Sequence, residues 1–337
     1  MSTNKDNKLS SDEKKWQEII KRYPEANFLQ SPEYGKMNEL LNNKVIVRDF
    51  DKDGYALMIV RDAKRGRYLE IPCGPLMDWQ NLDLVKNIMK EIRQIANREK
   101  CVFVRIRPQI KNTPENIAAM DTLGLRRSPM HLAAEHTVII SLSLTEEDLL
   151  KNMRRQTRYE VRRAEKLGIK VTRDNSEEIF REFHRIQLET AKRQSFVPPS
   201  LKVLLAEREA FGKDIDIYVA QTEKGEKIAY GLIIRNGNEG DYYEAASTPL
   251  NRKLPGAYAL LWQAMKDLKE EGYQRFNLWG IAPAGQQNHR YAGVTTFKTG
   301  FGGEVVEFVP AHDLVISRVG YLKNLIIEKA RKKKRHL

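Results

Sequence analysis

The densest cluster of chemically active side chains in this 337-residue sequence is cationic. Residues 151–170 carry eight basic groups, including Lys151, Arg154, Arg155, Arg158 and Arg162, against two acids, Glu160 and Glu165. Lys151, Arg155, Arg158 and Arg162 recur at the spacing that lines one face of a helix. Thr145, followed by Glu147 and Asp148, predicts the helix start, and Gly168 the stop. Arginine outnumbers lysine five to three here. A guanidinium is the better bidentate partner for phosphate, so this face is expected to hold a phosphate-bearing ligand. A second cluster lies at residues 323–337, with seven basic groups and one acid, Glu328. It follows an amphipathic stretch with Tyr321, Leu322, Leu325 and Ile326. Such a tail suits a nucleic-acid backbone or an anionic membrane surface, and equally a solvated terminus. Asp241, Glu244 and His289 are titratable groups that could move a proton. The six histidines show no H-x-x-x-H spacing, and no G-x-x-x-x-G-K-[ST] or G-x-S-x-G pattern occurs. Metal binding, ATP hydrolysis and serine-hydrolase chemistry are therefore not expected. No cofactor is expected either.

These side chains must be positioned by a mixture of strands and helices. Strands are predicted at 44–48, 55–60 and 68–71, punctuated by Gly54 and Gly66. An amphipathic helix follows at 82–100, then a strand at 101–106, a helix at 114–122 and a strand at 136–142. The second half runs in a similar order. Helices are expected at 146–167 and 176–192, strands at 215–221, 227–235 and 240–246, a helix at 256–271 and a strand at 276–279. The element order describes an α/β protein with mixed sheets, made of two related domains.

Composition agrees with a globular chain: 41% of residues are apolar and 31% charged. The net charge of +13 comes almost entirely from the two basic segments, each +6. No apolar run reaches the ~18 residues of a membrane span. The N-terminus lacks the apolar stretch of a secretory signal. Cys73 and Cys101 cannot make a disulfide framework. A cytoplasmic protein is expected.

The order of elements fits the GNAT (acyl-CoA N-acyltransferase) pattern. That pattern places a glycine-rich loop at a helix N-terminus, where backbone N–H groups hold the pyrophosphate of CoA. The matching stretch is Asn251-Arg252-Lys253-Leu254-Pro255-Gly256-Ala257-Tyr258. Pro255 stands where the first glycine is expected and removes an amide donor. A different acyl donor is the expectation.

Several segments together resemble the Fem family of peptidoglycan-bridge aminoacyltransferases. They are Asn152–Tyr159 with Arg162–Gly168, then Leu254-Pro255-Gly256-Ala257-Tyr258, Asn277-Leu278-Trp279-Gly280-Ile281, and Thr296–Gly303. The resemblance implies two tandem GNAT-like domains: residues 1–142 with a C-terminal return segment 311–337, and residues 143–310. It implies transfer of an amino acid from aminoacyl-tRNA to a side-chain amine of a peptidoglycan precursor, nucleotide-linked or lipid-linked. Residues 170–215 leave no room for the family's long helical hairpin, so a short form is expected.

Residue by residue, the resemblance gives Lys298, beside Phe297, the stabilisation of the developing oxyanion. Lys36 would hold the acceptor's diphosphate, with Arg193 as a second cation. Tyr258 and either Tyr242 or Tyr243 would face the acceptor, since strand alternation points only one of that pair into a cleft. Arg154, Arg155, Arg158 and Arg162 would contact tRNA. The expected protein is a monomer, with peripheral contact to an anionic inner membrane surface through its tail. The runner-up readings are a GNAT-fold acyltransferase using CoA or acyl-carrier protein, and a non-catalytic RNA-binding protein.

Overall fold

The computed structural model describes residues 11–63, 66–194, 196–286 and 291–335. The strands in chain order are β1 (Lys44–Asp49), β2 (Gly54–Ala63), β3 (Gly66–Pro72), β4 (Leu76–Met77), β5 (Phe103–Arg107), β6 (Arg126–Arg127), β7 (His136–Ser141), β8 (Lys170–Asp174), β9 (Ile215–Gln221), β10 (Lys227–Asn236), β11 (Glu239–Ser247), β12 (Arg275–Asn277), β13 (Glu304–Glu307) and β14 (His312–Val315). The helices are α1 (Ser11–Arg22), α2 (Pro32–Leu40), α3 (Leu82–Arg98), α4 (Pro114–Thr122), α5 (Glu146–Asn152), α6 (Arg155–Lys166), α7 (Glu177–Gln194), α8 (Leu201–Phe211), α9 (Gly256–Glu270), α10 (Ala292–Thr299) and α11 (Arg318–Arg335).

Two mixed sheets result. The first runs β1-β2-β3-β5-β14-β6, with β4 beside β2; the second runs β13-β7-β12-β11-β10-β9-β8. Each has an antiparallel run, one parallel pair (β3 with β5, β11 with β12) and two further antiparallel strands. A helix crosses between the parallel strands in both, α3 in the first and α9 in the second, so the chain is two tandem GNAT-like domains. In both, the strand next to the parallel pair comes from elsewhere in the chain. β14 returns from the C-terminus to the first sheet, and β7 fills the matching place in the second. His136–Ser141, expected in the first domain, is thus part of the second sheet. It is the antiparallel partner that both β12 and β13 need.

The helices follow their apolar periodicity. α3 turns Val85, Ile88, Met89, Ile92 and Ile95 onto one face of the first sheet. Each such side chain contributes roughly 1.5–3 kcal/mol on burial. α1 covers the other face with Trp16, Ile19 and Ile20 against Tyr55, Leu57 and Ile59. The second sheet lies between α9 on one face and α7 with α8 on the other. The domains share a core, because Phe28, Leu29 and Met37 of the first pack with Phe183, Phe211 and Ile217 of the second. Polar contacts fix the same junction: Trp16 Nε1 donates to Asn236 Oδ1 at 2.9 Å, and Asn27 Nδ2 to Asp241 Oδ1 at 3.4 Å.

Helix α8 lies in a stretch where no helix was expected, and the helix expected over 146–167 is broken. Met153 is extended (ψ 144°), and the Arg154 N–H donates to Gly300 O at 2.8 Å instead of to an intrahelical carbonyl. The break is made by tertiary contact with the end of α10. A Cβ on Gly300 would come within 2.3 Å of Thr157 Oγ1, so only glycine lets α6 sit this close.

Candidate active site

The parallel pair β11–β12 is hydrogen-bonded only over Glu239–Asp241 and Arg275–Asn277. Beyond Asn277 the two chains part. Trp279 takes a left-handed conformation (φ 58°), rare for a bulky residue, with its N–H held by Asn277 Oδ1 at 3.0 Å. This turn carries Gly280 away from the sheet and aims its carbonyl at α10. On the β11 side lies a cleft of about 670 Å³ lined by residues 242–247 of β11, by Thr190, Gln194 and Phe196, by Ala257 and Tyr258 of α9, and by Phe297 and Lys298 of α10.

Among the described residues, Lys298 is the one lysine lining this cleft. It is only 8% exposed, and its Nζ donates to Gly280 O at 2.9 Å. The ammonium lies 5.8 Å from the centre of the Tyr242 ring. No carboxylate of the described residues balances it, and burial pushes its pKa down from 10.5 to about 7. The group is a desolvated cation facing a cavity. Phe297 packs edge-on to Tyr258, with ring centres 5.0 Å apart, and Tyr258 stacks on Phe301 at 5.9 Å. These rings fix one wall. Burial raises the Tyr258 pKa, so its hydroxyl stays protonated at neutral pH.

Tyr242 and Tyr243 both line the cleft, contrary to the expectation that only one would. The β10–β11 register shifts at this point, Leu232 pairing with Glu244 and Ile233 with Tyr242. The resulting bulge leaves Tyr243 without a partner residue in the ladder, while the two rings still point to opposite faces of the strand. Tyr242 packs with the α9 side of the sheet, and Tyr243 packs against Phe28 and Trp279 on the other.

The remaining sequence candidates are more dispersed. Arg193 is exposed at the rim, where its guanidinium donates to Thr190 Oγ1 at 3.1 Å and to the Ser247 carbonyl. Lys36 lines a different cleft, of about 660 Å³, formed by α1, α2, β1 and β2 with Ala210 of α8. It is exposed, and its ammonium meets the Glu209 carbonyl at 3.4 Å. Arg154 donates to Thr296 O at 3.0 Å, tying α6 to α10 one turn from Lys298. Arg158 donates to the carbonyls of Leu150, Lys151 and Met153, all at the end of α5. It caps that helix, as cations favourably do. Arg155 and Arg162 are exposed on one face of α6. Of the candidate proton carriers, Asp241 is 1% exposed and held in a buried network with Asn27 and Glu239. Glu244 lines the cleft. His289 lies outside the described residues.

The α9 N-terminus, where CoA-binding enzymes hold pyrophosphate, is occupied by the protein itself. Asn251 Oδ1 accepts the Ala257 N–H at 3.0 Å, and the Gly256 N–H bonds to Leu254 O at 2.9 Å. Gly256 permits a close approach, since a Cβ there would lie 2.4 Å from Ile228 Cγ2. Sequence reasoning saw the lost amide at Pro255 and missed the Asn251 plug. It also missed Gln30, whose amide bridges Leu57 and Pro72 where β2 and β3 separate. Glu207, buried beside Glu244, went unremarked because its place is set by the packing of α8.

Comparison with known proteins places this architecture. The chain is 22% identical to the aminoacyltransferase FemA of Staphylococcus aureus strain MRSA252, with 80% of this chain and 82% of that one covered. The crystal structure of FemX superposes with a TM-score of 0.82 at 16% identity, covering 95% of this chain and 99% of that one. The L-PGS structure from Bacillus licheniformis shares the fold more distantly, with a TM-score of 0.58 at 15% identity over 94% of this chain and 96% of that one. The FemAB family model matches residues 12–228 and 219–329. With matches that span nearly its whole length, the chain belongs to the FemAB family.

Proposed function

We infer that this protein is an aminoacyltransferase that moves an amino acid from aminoacyl-tRNA to a side-chain amine of a peptidoglycan precursor, building the interpeptide bridge. The observation that carries the chemistry is Lys298, a buried ammonium on the wall of a cleft with no carboxylate partner among the described residues. The donor is an activated ester and the acceptor an amine. The deprotonated amine attacks the ester carbonyl and forms a tetrahedral oxyanion. This collapses by breaking the bond to the tRNA ribose oxygen, which leaves with the second proton of the amine. A fixed cation in a desolvated site stabilises the oxyanion by roughly 3 kcal/mol. Holding both substrates in one cleft supplies most of the remaining acceleration. Phe297 and Tyr258 shape the wall against which the acceptor lies, with Tyr243 opposite. Arg193 at the rim and Lys36 in the second cleft offer cations to the acceptor's diphosphate. Exposed Arg155 and Arg162 on α6 offer cations to tRNA phosphates, next to the Lys298 helix that Arg154 braces. The Asn251 plug at the α9 N-terminus disfavours CoA as donor.

The C-terminal helix supports contact with an anionic membrane surface. α11 buries Tyr321, Asn324 and Glu328 and turns Val319, Leu322 and Ile326 outward, 83%, 59% and 63% exposed. Lys323 and Lys329 are exposed on the same helix. An outward apolar row beside basic groups is the pattern of an interfacial helix. No helix among the described residues is long and apolar enough to cross a membrane.

Calorimetric titration with charged tRNA and with CoA tests the donor assignment. Charged tRNA is expected to bind and CoA not to; tight CoA binding without tRNA binding would replace this reading by a CoA-dependent acyltransferase.

A further inference from the structure

Three hydrogen-bonding side chains cluster at Glu244 on the wall of the Lys298 cleft; Gln187 and Glu207 are buried behind it and do not line it themselves. Glu244 of β11 lines the cleft directly. Gln187 of α7, 2% exposed, donates its Nε2 to Glu244 Oε2 at 2.6 Å. That bond leaves Gln187 Oε1 buried with no partner. Glu207 of α8, 4% exposed, has its Oε2 buried and equally without a partner. Gln187, Thr190 and Gln194 share one face of α7, and the latter two line the cleft. Gln187 therefore stands one turn before Thr190 on the cleft side of α7 and reaches the cleft through its bond to Glu244. No lysine, arginine or histidine of the described residues contributes to the surroundings of either carboxylate. Buried acceptors without donors are costly, and natural proteins retain them where something else supplies the donors.

We propose that Glu244, Glu207 and Gln187 form a subsite for a primary ammonium of the substrate. The inference rests on the transferase reading and adds to it where a substrate amino group sits. An ammonium brings three donors and one positive charge, matching three acceptors with no counter-ion. Burial raises the pKa of both carboxyls, Glu244 to about 7, and the charge of Glu244 raises Glu207 further. A bound cation reverses that penalty. Lys298 elsewhere in the cleft repels a second cation, which keeps the ammonium on the acidic wall and leaves Lys298 for the oxyanion. Two ammonium groups have this chemistry: the acceptor's side-chain amine before it loses its proton, and the α-amine of the amino acid carried by tRNA.

The test measures affinity for four ligands with the full chain. They are a UDP-linked muropeptide with its lysine side chain unmodified or N-acetylated, and aminoacyl-tRNA with its α-amine unmodified or N-acetylated. In one of the two pairs, acetylation is expected to weaken binding to the wild-type protein by at least about tenfold. That pair identifies the source of the ammonium. Glu244→Gln is expected to abolish the preference between the two members of that pair, and thermal unfolding checks that the variant folds. Equal wild-type affinity within both pairs would overturn the subsite, without using any variant. So would a preference that survives in both Glu244→Gln and Glu207→Gln. If the wild-type chain binds neither muropeptide nor charged tRNA, the transferase reading fails and the subsite with it.

Discussion

Replacing Lys298 by methionine should make the protein more stable and nearly inactive. The side chain is 8% exposed, and burial alone depresses its pKa from 10.5 to about 7. At ~1.36 kcal/mol per pKa unit this is a cost to the folded state of order 5 kcal/mol. The unfolded chain keeps the proton up to pH 10.5, whereas the folded chain releases it near 7. Between these values the unfolded state binds more protons, so wild-type stability rises with pH. Below pH 7 both states are protonated and the full penalty persists. Lys298→Met removes it, so the variant should exceed the wild type most at pH 6 and progressively less toward pH 10. Losing the oxyanion's cation should lower kcat by about 10²-fold, the scale of one such donor, with KM nearly unchanged. Lys298→Arg retains a charge above pH 7, so its kcat relative to wild type should climb as pH rises through 7. Urea unfolding at pH 6 and 9.5, with single-turnover transfer by each variant, measures all of this. A Lys298→Met protein that is less stable at both pH values and transfers at the wild-type rate would refute the reasoning.

Other outcomes follow from the geometry. Arg155→Glu and Arg162→Glu should each weaken tRNA binding and lower its log–log salt slope by about one; filter binding across a salt series measures this. Arg158→Ala should instead act on stability, by about 1 kcal/mol in urea unfolding, because its guanidinium caps α5. Arg105 makes buried ion pairs with Asp313 at 2.8 Å and Glu328 at 2.8 Å, pinning β14 and α11 to the first sheet. Arg105→Ala strands two buried carboxylates and should cost about 3–5 kcal/mol, read by the same denaturation. Leu322→Ser with Ile326→Ser should reduce co-sedimentation with anionic phospholipid vesicles while leaving thermal stability unchanged, since both side chains face outward.

Much of the fold is legible in the sequence, for identifiable reasons. The amphipathic period of α3 and the short apolar runs of β1, β2 and β3 between glycines are local signals, and they place those elements correctly. Elements whose existence depends on distant partners are not legible. The break between α5 and α6 is made by the Gly300 carbonyl, far away in the chain. Position along the chain assigns His136–Ser141 to the first domain, but its hydrogen bonds lie in the second sheet. β13 and β14 are four residues each and carry little periodicity.

The site divides the same way. Lys298, Phe297 and Tyr258 come from the resemblance and the Tyr242–Tyr243 pair from its place on a strand, and the fold brings all of them to one cleft. The resemblance also groups Lys36 with them, yet it lines another cleft, because α2 packs against α8 and not against α10. Glu207 and Gln187 carry no sequence signal. A glutamate and a glutamine on amphipathic helices read as solvated until the packing buries them.

Transfer of radiolabelled amino acids from bulk charged tRNA to a purified muropeptide, with wild-type protein and Lys298→Ala side by side, tests the central claim most directly. The account predicts that label passes to the muropeptide's side-chain amine with the wild type and is lost at least about 10²-fold with the variant. Equal transfer by both proteins, or acyl transfer from CoA with none from tRNA, would contradict it.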